Sequence, residues 1–144
     1  PPPLMFRVAF GTGELLKHFV PLSFVAGVKG VYLAGVIFMT AGVCMGLYLA
    51  VTFLLRRTTL NPFAEPSAFV AQGPYRLSRN PMYLSLIITY LGAALIFGSV
   101  WPLLALVAPI TVLIRVVIPF EEARMLATFG ESYQAYRARV RRWL

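Results

Sequence analysis

The sequence is poor in charge, in cysteine and in acids. Charged residues make up 12% of its 144 residues, hydrophobic residues make up 59%, and the mean hydropathy is +0.77. Soluble domains usually carry about twice that share of charge. The composition therefore excludes an ordinary soluble domain and predicts a small all-α integral membrane protein, with one domain over residues 1–144.

The scarcity of thiols and acids limits the sites that the chain can build. Cys44 is the only cysteine, so a disulfide framework is excluded. The acids are five glutamates with no aspartate, and we predict no bound metal ion. The prolines at residues 1–3 are not preceded by a charged leader, so we expect no cleavable signal peptide.

Basic residues are the common charged type, and they give a formal net charge of +8. In a soluble protein this excess would suggest a nucleic-acid partner. Here the basic residues flank apolar runs, which favours an anionic lipid surface as the partner and no nucleic acid.

Four apolar segments predict four membrane helices. A membrane-spanning helix needs about 20 apolar residues, and the segment without any charge, 31–55, fits this best. Three of its glycines (Gly35, Gly42 and Gly46) lie at spacings that predict close helix packing. A tight turn at residues 99–102 joins the last two helices as a hairpin, with a kink expected at Pro109. The four predicted helices cover residues 4–19, 31–55, 83–98 and 103–118.

The distribution of arginine predicts the topology. The connection 57–79 and the C-terminal tail are both rich in arginine, whereas the turn at 99–102 has no basic residue. The positive-inside rule then places the connection, the tail, both termini and the site described below in the cytoplasm. Residues 131–140 are basic and carry two tyrosines, which predicts a C-terminal amphipathic helix on the cytoplasmic membrane surface.

One polar stretch, residues 73–83, separates two long apolar runs. Asn80 followed by Pro81 predicts a helix start, because Asn caps free N–H groups and Pro tolerates the first helical position. Arg76 and Arg79 then lie at the positive end of that helix, which suits a carboxylate or a phosphate. The alternative is a basic loop that contacts lipid headgroups.

A second polar cluster follows the fourth apolar segment. Glu121 and Glu122 are adjacent there, where burying a carboxylate is costly without a partner. The alternative is a pair of solvated acids at the start of a helix restarted by Pro119. Gly130 is the expected stop of this helix.

Taken in order, these clusters resemble a family of membrane methyltransferases that includes isoprenylcysteine carboxyl methyltransferases and phosphatidylethanolamine N-methyltransferases. The resemblance covers the second half of the chain, and residues 59–66 also resemble the preceding loop of the family. The motifs that carry it are Gly-Pro-Tyr-Arg at 73–76, Arg-Asn-Pro-Met-Tyr at 79–83, Glu-Glu at 121–122 and Phe-Gly-Glu-Ser-Tyr-Gln-Ala-Tyr at 129–136.

The resemblance implies S-adenosylmethionine as the methyl donor and a pocket built from both clusters. It implies a lipid or lipidated acceptor, and it favours the bacterial inner membrane over the endoplasmic reticulum. The catalytic residues that it implies are Glu121, Glu122 and Arg79. The donor-binding residues that it implies are Tyr75, Arg76, Arg79, Asn80, Pro81, Tyr83 and Glu122.

The residue types suit this chemistry. Arg79 and Asn80 can hold the donor's carboxylate at a helix N-terminus, and one of the two glutamates can hold its ammonium. Tyr75 and Tyr83 can flank the sulfonium by cation–π contact. An ammonium acceptor must first lose a proton, which a glutamate with a raised pKa could take.

Asn80 bears on the choice of acceptor. Carboxyl-methylating members usually carry His at this position, whereas phospholipid N-methylating members resemble the Asn-Pro-Met-Tyr of this chain more closely. This favours the amino headgroup of a phospholipid, with carboxyl O-methylation of an isoprenylcysteine-like substrate as the alternative. Two other classes stay open: a small transporter that uses Glu14 as its ion site, and a non-catalytic membrane binding protein.

Overall fold

The computed structural model describes residues 1–23, 28–55 and 71–144. Within these ranges the helices account for the regular secondary structure, apart from one isolated bridge between Ser23 and Ser99, which confirms the predicted all-α class. Most of the predicted connection 57–79, including residues 59–66, lies outside the described residues. The helices are α1 (Pro2–Phe19), α2 (Lys29–Leu55), a 3-10 turn (Gly73–Arg76), α3 (Pro81–Phe97), α4 (Val100–Ala105), α5 (Val107–Val112), a π-helical stretch (Leu113–Val117) and α6 (Ile118–Arg139).

Contacts between side chains show that successive long helices run in opposite directions. Gly35 of α2 lies against Gly92 of α3, whereas Gly42, further along α2, lies against Thr89, nearer the start of α3. Helix α1 runs parallel to α3, since Phe6 contacts Tyr90 and the Lys17 ammonium donates to the Phe97 carbonyl oxygen. The loop before α3 and the start of α6 therefore lie at one end of the helices.

Two helical segments are long and apolar enough to cross a membrane. They are α2 and the continuous path Val100–Arg139, whose most apolar stretches have mean hydropathies of 2.0 and 2.4. At about 1.5 Å per residue the second path is about twice as long as the hydrocarbon core is thick, so only its apolar part, before residue 119, can lie inside. Helix α3 is a shorter apolar helix, and crossing by all four segments stays a prediction.

The glycines of α2 lie where close packing was predicted. A Cβ atom on Gly42 would come within 2.6 Å of the Thr89 amide nitrogen, and one on Gly35 within 2.9 Å of the Gly92 carbonyl oxygen. Only glycine lets these two backbones approach so closely. The opposite face of α2 is exposed, with Leu54 at 70% and Leu55 at 79%, as expected for a surface that faces lipid.

The predicted turn at 99–102 is too long. Helix α3 ends at Gly98, whose φ of 63° is left-handed, and α4 begins directly after Ser99. Trp101 and Pro102 therefore lie inside a helix. Glycine adopts this conformation without steric cost, so one residue is enough to end α3.

The predicted restart at Pro119 is confirmed, since α6 begins at Ile118 with Pro119 in its first turn, whereas the kink at Pro109 stays a prediction because Leu106, between α4 and α5, keeps helical backbone angles. The α-helical hydrogen-bond pattern is interrupted at Leu106 and again in the π-helical stretch that ends at Val117. Each irregularity lies about one turn before a proline, because proline lacks the N–H that would bond to the carbonyl four residues earlier and its ring crowds that carbonyl.

The predicted stop at Gly130 is confirmed as a break in α6. Its φ of 50° and ψ of −124° are not helical, and the helix resumes immediately after it. In the second part, Tyr133 and Tyr136 are buried, each 4% exposed. These tyrosines therefore pack against the protein instead of presenting an aromatic face to a membrane surface.

Candidate active site

Helix α3 begins where the sequence predicts, with Pro81 as its first residue. Asn80 precedes it, but the Asn80 side chain makes no capping hydrogen bond to the helix. Its Nδ2 donates instead to the Arg142 carbonyl oxygen at 2.9 Å. The predicted cap is therefore wrong, and the contact that orients the Asn80 side chain is the bond from Nδ2 to the C-terminal tail.

Glu121 is held by a tyrosine from the start of α3. The Tyr83 hydroxyl donates to Glu121 Oε1 at 2.6 Å. Glu121 lies beyond the apolar part of its helix, and burial raises its pKa to about 7, opposed by the Tyr83 hydrogen bond and reinforced by the charge of Glu122. A carboxyl group with this pKa can accept or release a proton near neutral pH.

Glu122 is buried, at 8% exposure, and two arginines from outside its helix neutralise it. Arg79 Nη1 lies 3.1 Å from Oε1. Arg142 donates from Nε to Oε1 at 3.2 Å and from Nη2 to Oε2 at 2.7 Å. This pairing explains how a carboxylate is tolerated here, since burying it without a partner would be costly.

The C-terminal tail lies along the loop that precedes α3. The Arg79 amide donates to the Arg141 carbonyl oxygen at 2.9 Å, and the Ser78 hydroxyl donates to the Arg142 carbonyl oxygen at 3.3 Å. Trp143 packs against the hydrophobic core. Residues 141–143 thus belong to the same polar cluster as the two glutamates.

Tyr136 links the second part of α6 to the 3-10 turn. Its hydroxyl donates to the Tyr75 carbonyl oxygen at 2.7 Å, and burial raises the pKa of Tyr136 to about 12. The Tyr75 ring lies 5.8 Å from the Phe53 ring at the end of α2. Burial and the charge of Glu121 both raise the pKa of Tyr75, which places its phenol near that acid.

The structure brings most of the predicted site residues together at one end of the helices. Arg76 differs, because its side chain is exposed at the end of the 3-10 turn and pairs with no acid among the described residues. Sequence reasoning missed Ser78, Tyr136 and Arg142. Tyr136 lay in a motif of the resemblance, whereas nothing in the sequence distinguishes Arg142 from the other arginines of the tail. The clustered predicted residues are Tyr75, Arg79, Asn80, Pro81, Tyr83, Glu121 and Glu122.

The cluster has the chemistry to hold an amino-acid group. Arg79 Nε is buried and has no hydrogen-bond partner among the described residues, so it can donate to an incoming carboxylate. Glu122 offers about four lone pairs, of which three face arginine nitrogens, and the remaining one can accept from an ammonium. In the described part of the chain, no group of three or more His, Cys, Asp or Glu residues could hold a metal ion.

The fold and this cluster define a helical membrane protein with a polar site of acids, arginines and tyrosines at one end of its apolar helices. The family model described as phospholipid methyltransferase matches residues 30–132, and the chain therefore belongs to the phospholipid methyltransferase family. This confirms the family that the sequence motifs predicted. No curated protein and no solved structure matches the chain.

Proposed function

We propose that the protein transfers a methyl group from S-adenosylmethionine to the amino headgroup of a phospholipid in the membrane. The observation that carries this proposal is the Glu121 carboxyl group, which Tyr83 holds at 2.6 Å and whose pKa is raised to about 7. Membership of the phospholipid methyltransferase family supports the same chemistry.

The donor's amino-acid end fits the arginine and glutamate pair. Arg79 Nε and the free N–H groups at the start of α3 would hold its carboxylate, and Glu122 would accept from its ammonium. The rings of Tyr75 and Tyr83 would lie beside its sulfonium. When bound, S-adenosylmethionine supplies an electrophilic methyl group.

Glu121 has the properties of the general base. A protonated amine carries no lone pair, so the N–H proton must pass to a base before the nitrogen can form a bond to carbon. Glu121 accepts that proton at its carboxylate, and the hydrogen bond from Tyr83 orients the carboxylate. The negative charge of Glu121 also favours an ammonium headgroup over an acceptor that is itself a carboxylate.

A membrane-embedded acceptor fits the position of the site. Long apolar helices with exposed side chains lead to it, and its polar residues lie at one end of these helices. A lipid can keep its tail beside the helices and bring its headgroup to Glu121, whereas a water-soluble amine would gain nothing from this arrangement.

The deciding experiment measures methyl incorporation from labelled S-adenosylmethionine by the purified protein. The acceptors are an aminophospholipid, a prenylcysteine analogue and a soluble amine. We expect incorporation into the aminophospholipid alone. Incorporation only into the prenylcysteine would reassign the acceptor to a carboxylate, and incorporation only into soluble amines would defeat the membrane acceptor. Binding of the donor without transfer to any acceptor would favour a non-catalytic binding protein.

We further propose that the helices cross the membrane four times, with both termini and the site in the cytoplasm. The test is cysteine labelling from each side in a Cys44→Ala background. Leu77→Cys and Ser132→Cys report the site end, and Val28→Cys reports the opposite end, all at exposed positions. Equal accessibility of all three from one side would contradict the four-span arrangement.

A further inference from the structure

Arg142 contacts the candidate active site with both its side chain and its main chain. The guanidinium donates to both carboxylate oxygens of Glu122, and the carbonyl oxygen accepts from Asn80. Arg142 is 20 residues from Glu122 and 62 from Asn80 in sequence. One residue of the tail therefore joins α6 to the segment that begins α3.

The two contacts with Glu122 fix the orientation of its carboxylate. A guanidinium donates two nearly parallel N–H bonds to the two oxygens of a carboxylate, which a single point charge cannot do. The Arg142–Glu122 distances, 3.2 and 2.7 Å, describe such a forked pair. Arg79 lies on the same carboxylate, with Nη1 3.1 Å from Oε1.

The charges around Glu122 leave one positive charge over while Glu121 is protonated. Arg79 and Arg142 carry two positive charges against one negative charge on Glu122, and Glu121 adds a second negative charge only when its carboxyl group is ionised, above a pKa of about 7. Arg79 Nε and Nη1 are both buried and have no hydrogen-bond partner within the described ranges, although Nη1 lies 3.1 Å from Glu122 Oε1. Without Arg142, Arg79 alone would have to compensate the buried Glu122 carboxylate.

We propose that Arg142 is a positioning residue of the active site, which holds the Glu122 carboxylate so that Arg79 Nε stays available for the carboxylate of the methyl donor. This inference rests on the proposed function. Arg142 lies ten residues beyond the matched span 30–132, so membership of the family does not assign it any role.

The test uses the full chain in detergent and compares the affinity for S-adenosylmethionine of wild type, Arg142→Ala, Arg142→Lys and Arg141→Ala. We expect the first variant to bind at least about fivefold more weakly, the size of effect typical of losing one intramolecular hydrogen bond. Lysine should restore part of the loss, because it keeps the charge but not the fork. Arg141→Ala is the matched control, since that side chain is exposed and its carbonyl oxygen is retained.

Two further readouts separate positioning from a general loss of structure. The KM for the aminophospholipid should stay within about twofold in Arg142→Ala, because Glu121 is held by Tyr83 and not by Arg142. Without any donor, a double-mutant cycle with Glu122→Gln should show strong coupling in thermal unfolding, so that the double variant melts no lower than the less stable single variant.

Several outcomes would overturn the role of Arg142. They are unchanged or tighter donor binding in Arg142→Ala, an equal loss in Arg141→Ala, and additive losses in the double-mutant cycle. Tighter binding would mean that Arg142 competes with the donor's ammonium for Glu122. If the wild-type protein binds no S-adenosylmethionine, the proposed function is overturned instead. If the wild type binds the donor and Arg142→Ala binds it equally well, only the role of Arg142 is overturned.

Discussion

The two ends of the helices use their polar groups in different ways. At the end opposite the site, side-chain donors go to main-chain carbonyls near helix ends. Trp101 Nε1 donates to the Val20 carbonyl oxygen at 2.6 Å, the Tyr90 hydroxyl to Pro102 at 2.7 Å, and the Lys17 ammonium to Phe97 at 3.3 Å. Of these acceptors, Phe97 ends α3, whereas the Val20 and Pro102 carbonyl oxygens also accept main-chain N–H groups, from Leu22 and Leu106.

At the site end, charged side chains bind one another across elements. Glu121 takes a hydrogen bond from Tyr83, and Glu122 pairs with Arg79 and Arg142. Main-chain carbonyl oxygens also accept hydrogen bonds there. The Asn80 side chain donates to Arg142, and the Tyr136 hydroxyl donates to Tyr75. A surplus donor on Arg79 and a carboxyl group with a pKa near 7 remain available for a ligand.

Among the described residues, buried groups without a hydrogen-bond partner occur at both ends, at Glu14 Oε1 and Ser99 Oγ as well as on Arg79, so the site end is distinguished by ion pairs that join different elements. Glu14 lies at the first end, 3.7 Å from Lys17, where it is part of a local ion pair one helical turn long. The predictions below test whether the division holds.

The largest effect is expected from removing one partner of the buried ion pair. Glu122→Ala and Arg79→Ala should each weaken binding of S-adenosylmethionine by at least about tenfold, because each removes the charged group that would pair with one end of the donor's amino-acid group. Calorimetric titration in detergent measures the affinity. Glu131→Ala is the control, since Glu131 is an exposed acid of the same helix. Unchanged affinity in both folded variants would place the donor elsewhere.

The second effect concerns pH. If Glu121 is the base, the rate should rise about tenfold from pH 6 to pH 8, as its carboxyl group loses a proton through a pKa of about 7. Glu121→Gln should lower the rate and abolish this rise. Initial rates with an aminophospholipid across pH provide the measurement. A flat profile above about pH 6 would indicate a carboxylate acceptor, which is already ionised there.

The raised pKa of Glu121 also fixes the sign of its effect on folding. Between about pH 4.5 and pH 7 the folded chain binds more protons at this residue than the unfolded chain does. The contribution of Glu121 to stability is therefore fully present below about pH 4.5 and is lost as the pH rises through 7. If the wild type instead gained stability relative to Glu121→Gln as the pH rises from about 4.5 to 7, the raised pKa of Glu121 would be contradicted.

The third effect tests the packing that supports both ends. Gly42→Val should destabilise the protein by about 1–3 kcal/mol, because its Cβ would lie 2.6 Å from the Thr89 amide nitrogen. Gly11→Val is the control, since no atom outside its own helix lies within 4 Å of a Cβ built there. Thermal unfolding measures both variants. Equal losses would mean that helix propensity and not the approach of α2 to α3 decides the result.

Hydropathy and a few punctuating residues predicted most of the fold. Uncharged runs gave the helices, Pro81 gave the start of α3, and Gly130 gave the break in α6, because these signals act within one helical turn. Pro119 marked the start of α6 as expected, and the hydrogen-bond pattern is interrupted before each proline because proline cannot donate to the carbonyl four residues earlier. The hydrophobic pattern cannot distinguish a segment that crosses the membrane from one that only packs inside it.

The site was predictable where its residues belong to a short sequence motif or lie close together in the sequence. The two glutamates were found because acids are scarce in this chain, and the Arg79 to Tyr83 stretch was found because it forms a motif of the resemblance. Arg142 was not found, since its partners are distant in sequence and the tail holds several equivalent arginines. The Asn80 side chain illustrates the same limit, because its sequence position favours a local cap whereas its Nδ2 bonds the distant Arg142 carbonyl oxygen.

The smallest effect is expected at the end opposite the site. Trp101→Phe keeps the aromatic ring but removes the N–H that donates to the Val20 carbonyl oxygen. The loss should be about 1 kcal/mol or less in unfolding free energy, the usual net value of one hydrogen bond. Affinity for S-adenosylmethionine should stay within about twofold, because distant sites that share no partner behave additively. Thermal unfolding measures the stability, and calorimetric titration measures the donor affinity, of Trp101→Phe and of the double variant that also carries Glu122→Ala. A fivefold loss of donor affinity in Trp101→Phe alone would show that the two ends are coupled and that the division between them fails.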